Sequence, residues 1–133
     1  MSTPIGEVSL TKLSKNFLVH FLKKSHAKFK LIKNAKRISQ DGETHKLDFL
    51  IIDKHTNEEV GVLLKDWNRS ISITVVNSFI NEIKELGLSS GILIGGRFSD
   101  SARTRAEDSA KVNLITRGRM VTWLVQHGID VEP

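Results

Sequence analysis

Between residues 8 and 24 apolar side chains recur at helical spacing: Leu10, Leu13, Phe17 and Phe21 set a stripe that Leu18 and Leu22 widen. That period predicts an amphipathic helix whose other face is basic. From Phe29 to Ile38 apolar residues alternate loosely with Lys and Arg, the pattern of a half-exposed strand, and Gln40-Asp41-Gly42-Glu43 supplies a turn. Two strongly apolar runs follow, Leu47-Asp48-Phe49-Leu50-Ile51-Ile52 and Val60-Gly61-Val62-Leu63-Leu64-Lys65. Both read as central strands buried on two faces. His55-Thr56-Asn57-Glu58 between them is short enough for a hairpin turn. With Thr56 and Asn57 at its tip, Asp48 is expected directly opposite Lys65, with Leu50 and Leu63 on the same side of the sheet.

The second half of the chain changes rhythm. Val76, Phe79, Ile80, Ile83 and Leu86 repeat at helical spacing from Ile73 onward, and Gly87 closes that helix. Gly91-Ile92-Leu93-Ile94-Gly95 is a short buried strand, after which Ser99-Asp100-Ser101 offers a cap for a helix running to about Ala110. Val112 to Ile115 is a further strand, and Thr116 caps a last helix carrying Met120, Trp123, Leu124 and Val125, with Gly128 beyond it. Strand and helix alternate here, which predicts right-handed crossovers and parallel pairing attached to the antiparallel hairpin of the first half. The fold class expected is therefore α/β, a mixed sheet flanked by helices.

Composition narrows the function. At 133 residues with 39% hydrophobic content, residues 1–133 are expected to form one domain around one core. No run approaches the roughly 18 apolar residues of a membrane span, and a signal-peptide pattern is missing from the N-terminus, so a cytoplasmic location without membrane partners is expected. Without cysteine, thiol nucleophiles, disulfides and thiolate zinc sites are excluded, and any metal must sit on oxygen or imidazole. The net charge of +5 suits a polyanionic partner. Lysines load the first 40 residues, together with Arg37, and Arg97, Arg103, Arg105, Arg117 and Arg119 load the last 40. Solvated lysine faces are ordinary, but arginine suits phosphate recognition better than lysine does.

Taken in order, these features resemble the catalytic domain of Mrr-type restriction endonucleases, within the PD-(D/E)xK nuclease fold, over roughly residues 10 to 125. The family's first helix, Gly-containing loop, strand aspartate and Gln-x-Lys or Glu-x-Lys before an aromatic correspond to helix 8–24, Gly42, Asp48 and Leu63-Leu64-Lys65-Asp66-Trp67. Its later strand and Phe-Ser helix start correspond to Gly91-Ile92-Leu93-Ile94 and Phe98-Ser99-Asp100-Ser101-Ala102, and its last strand to Val112-Asn113-Leu114-Ile115. The resemblance implies a restriction-endonuclease-like fold, Asp48 and Lys65 as remnants of a catalytic pair, and Mg²⁺ as the cofactor of an active member.

The departure is at position 63, where the family's carboxylate or amide is Leu63; Lys15 and Asn16 stand where its first helix carries an acid. Metal-dependent phosphodiester hydrolysis needs a hard cation held by oxygen ligands beside a lysine. Asp48 alone is a thin ligand set, and Glu43 and Glu82 are the candidates for a relocated carboxylate.

The function expected is a DNA-binding module, largely sequence-independent, with lost or weakened cleavage and no resident cofactor. An active Mg²⁺-dependent endonuclease and a purely structural subunit are the alternatives, and a homodimer or a partner protein would supply any target choice. Lys36, Arg37, Arg97, Arg103, Arg105, Arg117 and Arg119 are the nucleic-acid contacts expected. Plainer readings stand beside these: Asp48 and Lys65 as a partly buried ion pair, Trp67 as a sheet-edge aromatic, Glu82 as a solvated carboxylate, and His20, His26, His45, His55 and His127 as surface residues.

Overall fold

The structure is a computed structural model that describes residues 8–25 and 28–132. The elements follow the order the hydrophobic pattern predicts: α1 (Leu10–Lys24), β1 (Phe29–Ile38), β2 (Thr44–Asp53), β3 (Glu59–Lys65), α2 (Ile73–Leu86), β4 (Ser90–Gly95), α3 (Asp100–Ser109), β5 (Val112–Thr116) and α4 (Arg117–Gln126). Three of the helix starts are set by hydroxyl caps. Ser9 accepts from Lys12 N, Ser99 from Ala102 N and Thr116 from Arg119 N, each satisfying an amide that the first turn leaves orphaned.

The five strands lie in the order β1-β2-β3-β4-β5. The first three pair antiparallel and the last three parallel, as the switch from hairpins to strand-helix alternation implies. Side chains alternate across the sheet into two cores. Leu50, Leu93 and Val112 face α2 and α3, meeting Val76, Phe79, Ile80, Ile83, Ala102 and Ala106. Phe49, Ile51, Val62 and Ile94 face α1 and α4, meeting Leu13, Phe17, Leu18, Met120 and Leu124. Asn16, at the place where the family's first helix carries an acid, is buried and donates to Asp130 O at 2.8 Å, tying α1 to the segment after α4.

The hairpin register corrects the expectation. Phe49 pairs with Val62 and Ile52 with Glu59, so Asp48 falls opposite Leu63 and not Lys65. The turn is longer than a two-residue tip because Asp53 N donates to Glu58 O and the Asp53 carboxylate accepts from His55 N at 2.8 Å, while Asn57 takes a left-handed φ of 61°. A shift of two positions keeps every side chain on its expected face.

The β1-β2 ladder is interrupted where Asn34 and Asp48 face each other; Asn34 adopts φ 54°, a left-handed conformation that Asn tolerates. Alternation slips there, since Leu47 and Leu50 enter the same core. The outer half of the hairpin bends back over the α2 face. In a straight ladder Arg37, opposite His45, would stand seven positions from the level of Glu59, about 23 Å at about 3.3 Å per residue. Instead Arg37 Nε lies 3.2 Å from Glu59 Oε1. Leu47 packs so closely over Gly61 that a Cβ there would sit 3.3 Å from its Cδ2 and 2.8 Å from Leu88 Cδ1, so a side chain at this position would push both leucines aside.

Candidate nucleic-acid interface

Asp48 sits at the bend of β2, half-buried, with its carboxylate turned toward β3. Oδ2 accepts from Leu64 N at 2.7 Å, so the acid closes the end of the β2-β3 ladder where regular pairing stops. Leu63, across from it, is apolar, half-buried and packed against the α2-side core. Lys65 makes no ion pair with Asp48 among the described residues; its Nζ lies over the Trp67 ring, 5.5 Å from the centroid. Arg69 covers the same ring at 4.4 Å. Trp67 is therefore a half-buried aromatic in contact with two cations at the sheet's end.

That end is where the carboxyl termini of the three parallel strands meet, with Lys65, Gly95 and Thr116 in one row. Arg97 donates to Asn68 O at 3.0 Å, and Arg117 donates to Val8 O at 2.6 Å while lying 3.7 Å from Asp66 Oδ1. Beside Asp48 a cavity of about 310 Å³ is lined by Asn34, Ala35, Lys36, Lys46 and Leu47. Lys36 and Lys46 are ladder partners, and both are exposed. The arrangement can therefore hold phosphate oxygens around the carboxyl ends of β3 to β5 and the bend of β2.

The remaining expected contacts lie elsewhere. Arg37 is paired with Glu59, and Arg105 Nε donates to Asn77 Oδ1 at 2.8 Å. Arg103 and Arg119, both exposed, come together in a groove beside β5, the opposite edge of the sheet from the strand that carries Lys36. The basic residues thus form two groups. Lys46 and Arg69 were not singled out by the sequence. Arg69 carried a signal nonetheless, two residues beyond Trp67.

Glu43 and Glu82 gather around His45 and away from Asp48. His45 Nδ1 lies 2.7 Å from Glu82 Oε2, and Nε2 lies 3.8 Å from both Glu43 Oε2 and Glu85 Oε2. Only 14% of the His45 side chain and 21% of the Glu82 side chain are exposed, so neither is the surface residue expected. The Glu82 hydrogen bond raises the His45 pKa above its ordinary value against the opposing effect of burial. His20 Nδ1 contacts Asn16 O at 2.8 Å within α1, His127 stacks on Trp123, and His55 is exposed in the β2-β3 turn. His26 lies outside the described residues.

The family model of the Mrr catalytic type, described as restriction endonuclease, matches residues 11–124. No curated protein sequence matches the chain. Among solved structures, a protein of unknown function, AF1548, superposes with a TM-score of 0.67 at 13% identity, over 88% of this chain and 67% of that one. A repair endonuclease from Pyrococcus abyssi gives 0.54 at 20% identity, over 87% of this chain and 49% of that one. MspJI restriction endonuclease in complex with a 27-mer oligonucleotide gives 0.54 at 20% identity, over 83% of this chain and 26% of that one. The chain thus spans about half of the repair endonuclease and about a quarter of MspJI.

Proposed function

The chain belongs to the Mrr-type restriction endonuclease family, and from that premise we propose that it is a DNA-binding module that keeps the nuclease fold with cleavage lost or weakened. One observation carries the second half of this reading. The Asp48 carboxylate is engaged with Leu64 N, and the residue facing it is Leu63. The donor set at that point does not fit Mg²⁺, which takes six oxygen ligands in near-octahedral geometry. Among the described residues, the His and carboxylate groups close enough to share one cation are Glu43, His45 and Glu85, and Asp48 is not with them. Lys65, which in a metal-dependent reaction would stand near the attacking water, is directed over Trp67.

DNA binding rests on charge and placement. Lys36, Lys46, Lys65, Arg69, Arg97 and Arg117 surround the Asp48 end of the sheet, and no base-reading element stands out among them. Affinity is therefore electrostatic, largely indifferent to sequence, and supplied by phosphate contacts that release counterions. Target choice falls to a partner protein or to a second copy of the chain.

Plasmid nicking and gel-shift assays decide the matter together. The expected result is binding to duplex DNA that weakens steeply between 50 and 200 mM salt, with no nicking in Mg²⁺ or Mn²⁺. Absence of binding at low salt removes the DNA reading. Robust Mg²⁺-dependent nicking abolished by Asp48→Ala establishes an active endonuclease instead.

A further inference from the structure

Among the described residues, a group of ligating side chains lies away from the Asp48 end of the fold, where the bent hairpin meets the C-terminal half of α2. His45 comes from β2 and Glu43 from the turn before it, whereas Glu82 and Glu85 stand one helical turn apart on α2. An ionised carboxylate only accepts, so the 2.7 Å contact between Glu82 and His45 Nδ1 places a proton on Nδ1. That fixes the tautomer. In the neutral ring the lone pair is then on Nε2, which is inaccessible to solvent and has no hydrogen-bond partner among the described residues. It is directed at two further carboxylates, neither of which can donate to it.

A second proton on Nε2 meets this arrangement only in part: Glu43 Oε2 and Glu85 Oε2, at 3.8 Å, attract the imidazolium but stand beyond hydrogen-bond reach as placed. A cation between them resolves it. Ligand atoms of Glu43, His45 and Glu85 all lie within 4.8 Å of one another. At metal-ligand bonds of about 2.0–2.2 Å, two ligands of a tetrahedral centre are about 3.4 Å apart, so the imidazole-carboxylate separations need to close by only about 0.4 Å. Glu43 and Glu85, with side chains 72% and 52% exposed, are free to make that movement.

We propose that Glu43, His45 and Glu85 bind one divalent transition-metal cation, through His45 Nε2 and an oxygen of each carboxylate, with Glu82 as the outer carboxylate that orients the imidazole. Imidazole with carboxylates selects zinc-like ions over Mg²⁺ and Ca²⁺, and a carboxylate on the far ring nitrogen is the arrangement that fixes a histidine for metal. The bound ion adds a second link between the outer hairpin and α2, which the His45-Glu82 hydrogen bond and side-chain packing already join, and so fixes the half of β2 that leads into Asp48. The site is separate from Asp48 and stands whether or not the chain cleaves DNA.

The test uses the chain without an affinity tag, stripped with chelator, and titrated calorimetrically with Zn²⁺. One equivalent is expected to bind. Glu43→Gln and Glu85→Gln, at exposed positions that leave the His45-Glu82 bond intact, are each expected to weaken binding about tenfold or more, and Glu82→Gln about 10–100-fold. Nitrogen-15 correlation spectra of the histidines are expected to show Zn²⁺ on His45 Nε2 with Nδ1 still protonated. His55→Ala and His127→Ala are expected to change nothing. Failure to bind one equivalent overturns the proposal. Binding that survives both Glu43→Gln and Glu85→Gln, or that moves other histidine signals and leaves His45 unchanged, also overturns it.

Discussion

At the residue scale, Asp48 closes the end of the β2-β3 ladder, and its substitutions weigh that contact. Because Oδ2 accepts from Leu64 N where the β2-β3 ladder ends, Asp48→Ala leaves a half-buried amide without its partner. Urea denaturation is expected to show a loss of about 1–3 kcal/mol, with Asp48→Asn losing less because its amide oxygen still accepts. Equal losses in the two variants would show that the hydrogen bond contributes little. Leu63→Glu tests the proposed loss of a metal ligand directly, since position 63 faces Asp48. It brings an acid into an apolar surrounding, so stability is expected to fall by a few kcal/mol, and Mg²⁺ or Mn²⁺ is expected to restore part of it by binding only the folded state. An unchanged melting temperature with saturating divalent ion would break the proposed link between Leu63 and loss of cleavage. The identities of Asp48, Leu63 and Lys65 were legible in the sequence because they follow from chain order. Their pairing was not, because the residue pattern fits a two-residue tip equally well, and only the Asp53 carboxylate's bond to His55 N sets the longer turn.

At the scale of elements, hydrophobic period and capping residues located each helix and strand, and the two remaining features came from tertiary contact alone. The bend at Asn34 has no hydrophobic signature, since it rests on one left-handed residue. The company of His45 was equally hidden, because Glu82 stands 37 residues away and reaches it only through the bend. In metal-free protein that contact has a pH dependence of definite sign. The folded-state pKa of His45 is raised by Glu82, so its stabilisation is fully present below the ordinary histidine value near 6.5 and is lost as pH rises through the folded value. In chelator, urea midpoints measured from pH 6 to pH 9 are expected to fall in the wild type more than in Glu82→Gln. Equal profiles would exclude an ionic contribution from this contact. Packing between α2 and β4 is tighter. A Cβ at Gly91 would lie 2.5 Å from Phe79 Cζ and 2.6 Å from Ile83 Cδ1. Gly91→Ala is expected to cost about 1–3 kcal/mol, read by urea denaturation.

At the scale of the molecule, charge and topology together decide where a polyanion binds. The sequence placed the arginines correctly along the chain but could not tell which edge of the sheet each would reach. Strand order sets β1 and β5 four spacings apart, about 19 Å. Arg103 and Arg119 therefore share the β5 groove, whereas Lys46, Lys65, Arg69 and Arg97 share the Asp48 end. If DNA lies across the carboxyl ends of the parallel strands, each cation there neutralises a phosphate. The slope of log affinity against log salt is then set by their number, at about 0.9 per contact on duplex DNA. Replacing Lys46 and Arg69 together by glutamine is expected to lower affinity alike for unrelated sequences and to reduce that slope by about 2. Replacing Arg103 and Arg119 is expected to change the slope by less than 1, because a duplex about 20 Å wide seated at the Asp48 end leaves the β5 groove at its margin. The reverse ranking would place the DNA along β5, and the bend of β2 would then have no part in binding it.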